Sequence, residues 1–227
     1  MDYKIMERSM RLHASKEELE DALLQDIKFI ISEDIIKFGK AKILLSGGST
    51  PSGLYRKLSS TQLDWSKVIV GLVDERFVEN SSDYSNEKLV KTCFLINEAK
   101  NATFIPMIFS ADNEALNLLR TNESYAVFND ASVIILGMGE DGHTASLFPN
   151  DSDSNKAMDS EKNIFFTNSP SNPTRRITCT PKLLLSSKNI FLMLTGENKK
   201  EVLFSAAKNK LPISHFIGSI TEIYYSK

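Results

Sequence analysis

Apolar positions recur along this chain in two rhythms. Leu19, Leu23, Ile27, Ile30, Ile31 and Ile35 fall at helical spacing. Ser15 with Glu18 precedes them as a capping box and Gly39 follows as a stop, so the pattern predicts an amphipathic helix over roughly 15–38. Short unbroken apolar runs follow the other rhythm. Ala41–Leu45, Val68–Val73, Ala131–Leu136 and Asn189–Thr195 read as buried strands, and Ile164–Thr167 and Arg175–Thr180 as further strands. Tyr3–Met6 is a candidate short strand, Phe104–Met107 a short extended piece, and Ile220–Tyr225 a last edge strand. Between these lie helical patterns: one after Pro51 carrying Leu54, Tyr55 and Leu58, one from Asn86 with Leu89, Val90, Phe94 and Leu95, and one from Asp112 to about Asn122. A short helix over Pro181–Ser187 and another after Gly196 with Val202, Leu203 and Ala206 complete the set. Thr144–Pro149 reads as a helical turn closed by proline. The Ser-, Asp- and Asn-rich tract 150–162 reads as an exposed connector. Strands alternating with helices throughout predict an α/β fold, a doubly wound, mostly parallel sheet flanked by helices in a single domain over 1–227.

Composition narrows the function classes. Of 227 residues, 41% are hydrophobic and 25% charged, the balance of a soluble globular protein, and the net charge of −2 gives no electrostatic case for nucleic acid or anionic membrane. An anionic ligand must therefore be held by local positive groups. The two cysteines, Cys93 and Cys179, have no metal-type spacing, so neither a metal site nor a disulfide scaffold is expected. No run approaches a membrane span, and Asp2, Lys4, Glu7 and Arg8 do not make a signal peptide. The expectation is a cytoplasmic protein.

Chemistry gathers at four strand ends. The strand 131–136 runs into Gly137-Met138-Gly139-Glu140-Asp141-Gly142-His143, where alternate-spaced glycines force a tight turn around a carboxylate and one of only three histidines. A neutral imidazole takes a proton from water near neutral pH, and a nearby carboxylate fixes its tautomer. The strand 41–45 runs into Ser46-Gly47-Gly48-Ser49-Thr50-Pro51. Its hydroxyls and the unpaired N–H groups at a helix start suit a phosphate or carboxylate, although this is neither a Walker loop nor GxGxxG. Asp74-Glu75-Arg76 follows the third strand, and Arg76 offers a planar, multi-donor grip on phosphate. Gly196-Glu197-Asn198-Lys199 follows the fourth. Taken singly, each is also explained by an ordinary turn or a solvated charge cluster. Their convergence on one sheet edge places phosphate donors (Gly47, Gly48, Ser49, Thr50, Arg76, Lys199) beside a His143–Asp141 pair, and points to an enzyme.

These blocks, together with Ser85-Asn86, the continuation Thr144-Ala145-Ser146-Leu147-Phe148-Pro149, Arg176-Ile177-Thr178 and Gly196-x-x-Lys199, closely resemble the signature blocks of the 6-phosphogluconolactonase family from about residue 40 to 215. The related glucosamine-6-phosphate deaminases continue their DGH block with Ile-Ala-Phe-Asn-Glu, which this chain does not. Arg175 stands where the family often has proline before Arg-Ile-Thr, and Glu140 where proline is common. The resemblance implies a fold like that of the deaminase and ribose-5-phosphate isomerase group. It implies hydrolysis of 6-phospho-D-glucono-1,5-lactone in the oxidative pentose phosphate pathway, with no cofactor, in a monomer. His143 would be the general base and Asp141 its support. Arg76, Lys199, the Gly47–Thr50 segment and Arg176 would hold the phosphate. Two other readings stay in view, a deaminase-like enzyme and a sugar-phosphate-binding regulator without turnover.

Overall fold

The computed structural model describes residues 10–227, so the strand expected over Tyr3–Met6 lies outside the described residues. The first elements among the described residues are β1 (Met10–His13) and the long helix α1 (Lys16–Phe38). Ser15 caps α1 by accepting from the Glu18 amide at 3.1 Å, while Glu18 reaches back to the Ala14 amide, and Gly39 ends the helix at φ 76°. Leu19, Leu23, Ile27 and Ile31, fully buried, form the stripe by which α1 covers the sheet.

Then come β2 (Ala41–Leu45), α2 (Ser52–Ser59), β3 (Val68–Leu72), β4 (Asp74–Arg76), α3 (Asn86–Cys93), β5 (Thr103–Phe104), α4 (Glu114–Tyr125) and β6 (Val133–Leu136). The remainder holds α5 (Ser152–Met158), β7 (Ile164–Asn168), β8 (Arg175–Cys179), α6 (Pro181–Leu184), β9 (Ile190–Thr195), α7 (Glu197–Ser205) and β10 (Glu222–Ser226). Among the described residues seven strands form one sheet in the order β1-β10-β9-β6-β2-β3-β5, and every pairing in it is parallel. Helices on both faces explain why its central strands read as continuous apolar runs; all four residues of β6 are buried. The expected doubly wound parallel sheet is present.

Four local expectations change. Asp74-Glu75-Arg76 is not a solvated rim but β4, which with β8 and β7 makes a separate three-stranded antiparallel sheet. Val73 is the joint: its amide donates to Leu45 of the large sheet, and its carbonyl accepts from Cys179 of the small one. Residues 152–158 of the polar tract are helical, because Asp151 caps α5 through the Ser154 amide at 2.8 Å and because Ser154 and Ala157 are buried. Thr144–Leu147 is a tight turn closed by a bridge between its ends, with Ala145 at φ 48°, not a helical turn. Finally, β10 is interior, paired with β9 on one side and β1 on the other, so β1 is the edge.

Strand order locates the place for a ligand. From β2 the chain moves outward through β3 to β5; from β6 it moves the other way through β9 to β10. The adjacent pair β2–β6 is therefore a topological switch point, where the loops leaving the carboxyl ends diverge and leave a crevice. The loops that emerge there are 46–51 and 137–149.

Candidate active site

A cleft of about 310 Å³ opens at that switch point, between the carboxyl edge of the large sheet and the small sheet. Its walls include Gly47, Gly48 and Thr50 after β2, Gly137, Met138, Gly139 and His143 after β6, Asp74 and Arg76 on β4, Arg176 on β8, and Lys199 at the start of α7. Ser49 and Asp141, both expected at the site, do not line it. Ser49 turns its carbonyl to the Ser52 hydroxyl at 2.8 Å and so belongs to the start of α2. Asp141 stands behind the histidine.

Asp141 and His143 are in direct contact at one wall of the cleft. Asp141 Oδ1 lies 2.5 Å from His143 Nδ1 and 3.1 Å from the His143 amide. Partial burial pushes the Asp141 carboxyl up, but the hydrogen bonds and charge of His143 outweigh it and hold the group below its ordinary value. An ionised carboxylate on Nδ1 fixes the proton there, which leaves Nε2 as the ring nitrogen with a free lone pair. The ring of Phe148 packs against the imidazole at a centroid distance of 4.7 Å. On the other side, a Cβ built on Gly139 would fall 2.2 Å from the imidazole, so only glycine leaves room for it. The turn is tied by Gly139 N to His143 O at 2.9 Å and by Thr144 Oγ1 to Gly137 O at 2.8 Å.

The cleft also carries cations, and the Arg176 guanidinium lies 6.0 Å from the centroid of the same Phe148 ring. Arg76 and Arg176 are register partners across β4 and β8, which sets two guanidinium groups side by side. Arg176 is 6% exposed; burial first and the Arg76 charge second lower its pKa, and Asp74 and Glu75 offset this only in part. Its Nε has no hydrogen-bond partner. Arg76 is held by the Tyr84 carbonyl. Lys199 makes no hydrogen bond or ion pair among the described residues, whereas its neighbour Lys200 pairs with Glu197. None of the Gly47, Gly48, Ser49 and Thr50 amides donates within the described chain. A buried guanidinium with an unused Nε, a second arginine and an unpaired lysine beside unused amides are arranged for an anion.

Buried polar groups brace the cleft. The Glu75 carboxylate accepts from the amides of Arg76, Asn86 and Glu87 at 2.7, 2.8 and 2.7 Å and from the Ser85 hydroxyl at 2.9 Å, joining β4 to the start of α3. Burial still pushes Glu75 up to about 7. Asn86 donates to the Asp74 carbonyl and presses on Gly47, where an added Cβ would lie 2.0 Å from its side-chain oxygen. The Ser146 hydroxyl donates to Asp74. Among cleft residues, Asp74, Phe148, Ser169 and Ser171 carry no role in the sequence reading. A lone Ser offers no pattern; the pairing of β7 with β8 brings the Ser169–Ser171 loop beside Arg176, and Phe148 arrives on the loop after β6. Among the described residues no cluster of His, Cys, Asp or Glu could hold a metal ion, and no helix is long and apolar enough to cross a membrane.

Comparison with known proteins gives one answer. The family of glucosamine-6-phosphate isomerases/6-phosphogluconolactonase matches residues 14–223. A 6-phosphogluconolactonase of Rhizobium meliloti (strain 1021) is 35% identical over 204 residues, with 88% of each chain covered. One of Helicobacter pylori is 36% identical over 217 residues, covering 91% of this chain and 92% of the relative. The crystal structure of a 6-phosphogluconolactonase from Shewanella baltica OS155 superposes with a TM-score of 0.91 at 33% identity, over 96% of this chain and 97% of that one.

Proposed function

Because the chain belongs to the glucosamine-6-phosphate isomerase/6-phosphogluconolactonase family, we propose that residues 1–227 act as one lactonase domain that hydrolyses 6-phospho-D-glucono-1,5-lactone to 6-phospho-D-gluconate, as a cytoplasmic monomer without cofactor or nucleic-acid partner. The observation that carries the reading is a His143 Nε2 left free in a cleft that also holds Lys199, which makes no hydrogen bond or ion pair among the described residues, and Arg176, whose buried Nε has no partner. A lactone is an internal ester. Nε2 takes a proton from water as its oxygen attacks C1, and the tetrahedral oxyanion collapses with the ring oxygen as leaving group. The imidazolium then returns its proton to that oxygen, which becomes the 5-hydroxyl. Asp141 keeps the proton on Nδ1 and stabilises the imidazolium. Arg176, Lys199, Arg76 and the Gly47, Gly48 and Thr50 segment hold the 6-phosphate, with Ser49 contributing backbone only.

The same family contains deaminases, and one feature separates the readings. Phe148 stands where the deaminase block ends in glutamate, so the imidazole meets an aromatic face and not a second carboxylate. The deciding assay measures hydrolysis of freshly generated 6-phosphogluconolactone, corrected for spontaneous opening, in wild type and His143→Ala. Turnover that collapses in the variant supports the reading. Absence of turnover with ammonia released from glucosamine 6-phosphate would replace it with the deaminase.

A further inference from the structure

The small sheet supplies more to the cleft than its two arginines. Arg176 is buried and carries five N–H donors, yet it donates one hydrogen bond among the described residues, from Nη2 to the Ser169 hydroxyl at 3.3 Å. Ser169 is itself buried, at 4% exposure, on the loop between β7 and β8, and its amide is tied to the Thr174 carbonyl at 2.8 Å. The Ser171 amide also donates to Ser169 Oγ, at 3.2 Å, and the two hydroxyl oxygens lie 3.1 Å apart.

Counting donors and acceptors orients the chain of bonds. A serine hydroxyl has two acceptor sites and one proton. Arg176 Nη2 and the Ser171 amide fill both acceptor sites of Ser169 Oγ, so its proton points to Ser171 Oγ. Ser171 Oγ is then an acceptor in that contact, and its own proton is turned outward. Ser169, Ser171 and Arg176 all line the cleft, and Arg176 Nε adds a buried donor without a partner. The series therefore runs one way, from guanidinium through Ser169 to Ser171 and out into the cleft, and ends in a free donor.

We propose that Ser169 and Ser171 form a hydroxyl clasp that sets this enzyme's preference for a phosphorylated lactone: Ser169 positions the Arg176 guanidinium, and Ser171 donates directly to a phosphate oxygen. This rests on the lactonase reading for the identity of the substrate but concerns only its anionic end. Polarisation along such a series strengthens the last donor, and an anion is the acceptor that gains most from it. A neutral lactone that lacks the phosphate gains nothing from the clasp.

That asymmetry makes the test. Ser171→Ala and Ser169→Ala are compared with wild type on 6-phosphogluconolactone and on unphosphorylated glucono-1,5-lactone. In parallel, binding of 6-phosphogluconate and of gluconate is measured by calorimetry. Each variant should lose about tenfold in kcat/KM on the phosphorylated lactone, mostly through KM, and about tenfold in affinity for 6-phosphogluconate, the weight of one hydrogen bond to a charged group. Rates on the unphosphorylated lactone should not change. Ser171→Thr, at an exposed position that tolerates a methyl group, should restore both values. An equal fall on both lactones would mean a merely structural role and would overturn the clasp, as would unchanged values on the phosphorylated one. If wild type turns over neither lactone, calorimetry still decides: loss of 6-phosphogluconate affinity in Ser171→Ala upholds the clasp while the lactonase reading falls, and unaltered affinity removes the clasp.

Discussion

Replacing Gly139 by alanine should disable the base without touching the substrate's anchor. The new Cβ would lie 2.2 Å from both Nδ1 and Cε1 of His143 and 2.7 Å from Asp141 Oδ1, where ordinary contact begins at 3.4 Å. The imidazole must therefore retreat by about 1 Å, a displacement that can cost about a hundredfold when it misplaces a reacting group. It cannot retreat freely, because the Phe148 ring is packed on it at 4.7 Å between centroids. Any retreat also stretches the 2.5 Å contact that fixes the tautomer. We expect kcat to fall by about a hundredfold, about 2.7 kcal/mol of barrier. KM and 6-phosphogluconate affinity should stay within about twofold, since the phosphate donors lie on other loops. Gly137→Ala is the control: a Cβ there meets nothing within 4 Å, so its kcat should be spared. Steady-state kinetics on both variants, with thermal unfolding to confirm folding, gives the answer. A Gly139→Ala enzyme with near-normal kcat, or equal kcat losses in the two variants, would refute the reasoning.

Three further outcomes follow from other parts of the molecule. Lys199→Ala should raise KM for the phosphorylated lactone by about tenfold and leave kcat within about twofold, because phosphate is bound alike in ground and transition states; initial-rate kinetics over a range of substrate checks this. Tyr125→Phe should cost about 1–2 kcal/mol in urea unfolding, since the lost hydroxyl leaves the buried Leu72 amide, now 3.0 Å away, without its acceptor. Glu75 makes stability pH-dependent in a defined direction. Its folded value is raised to about 7, so the folded chain keeps a proton that the unfolded chain releases near the ordinary carboxyl value of about 4.3. This contribution is fully present below that value and is lost as pH rises towards 7. Asp141 and Asp151, held below the ordinary value, act in the opposite sense and lose their contribution on acidification. Urea midpoints across this range should therefore decline more with rising pH in wild type than in Glu75→Gln, and parallel curves would contradict the assignment.

The large sheet was legible because its physics is local. A strand buried on both faces must be apolar throughout, as at Val133–Leu136, and a helix lying on it must show the stripe seen from Leu19 to Ile31. The small sheet was not legible, because β4 is three charged residues whose strand character comes from partners about a hundred positions away. Helix α5 was hidden for a related reason: its Ser- and Asp-rich sequence resembles a loop, and only the Asp151 cap and the burial of Ser154 make it helical. Position within the sheet escaped as well, since β10 reads the same inside or at an edge. At the site, the glycine-bounded loops announced Gly47, Gly48 and His143 because tight turns need glycine. Ser169 became visible only through what it touches, and Asn86, noted in the sequence as part of a block, acquires its place through its contacts with Asp74 and Gly47. Asp141 does lie against His143, and the structure puts it outside the cleft wall.

The interior place of β10 bears on how the chain is made. Emerging from the ribosome in order, β2, β3 and β6 can pair as soon as each is released, and β9 can add to β6. The edge strand β1, which precedes the other described strands, has no neighbour until β10 arrives, because among the described residues its sheet pairing is to β10. Synthesis thus leaves the beginning of the chain waiting for its end, and the contact that finishes the sheet spans more than two hundred residues. Helix α1, which packs on β10 as well as on β2, must hold part of its apolar stripe uncovered over that interval. Nascent chains halted before residue 222 should bind chaperones through that stripe, and the last strand is what releases them.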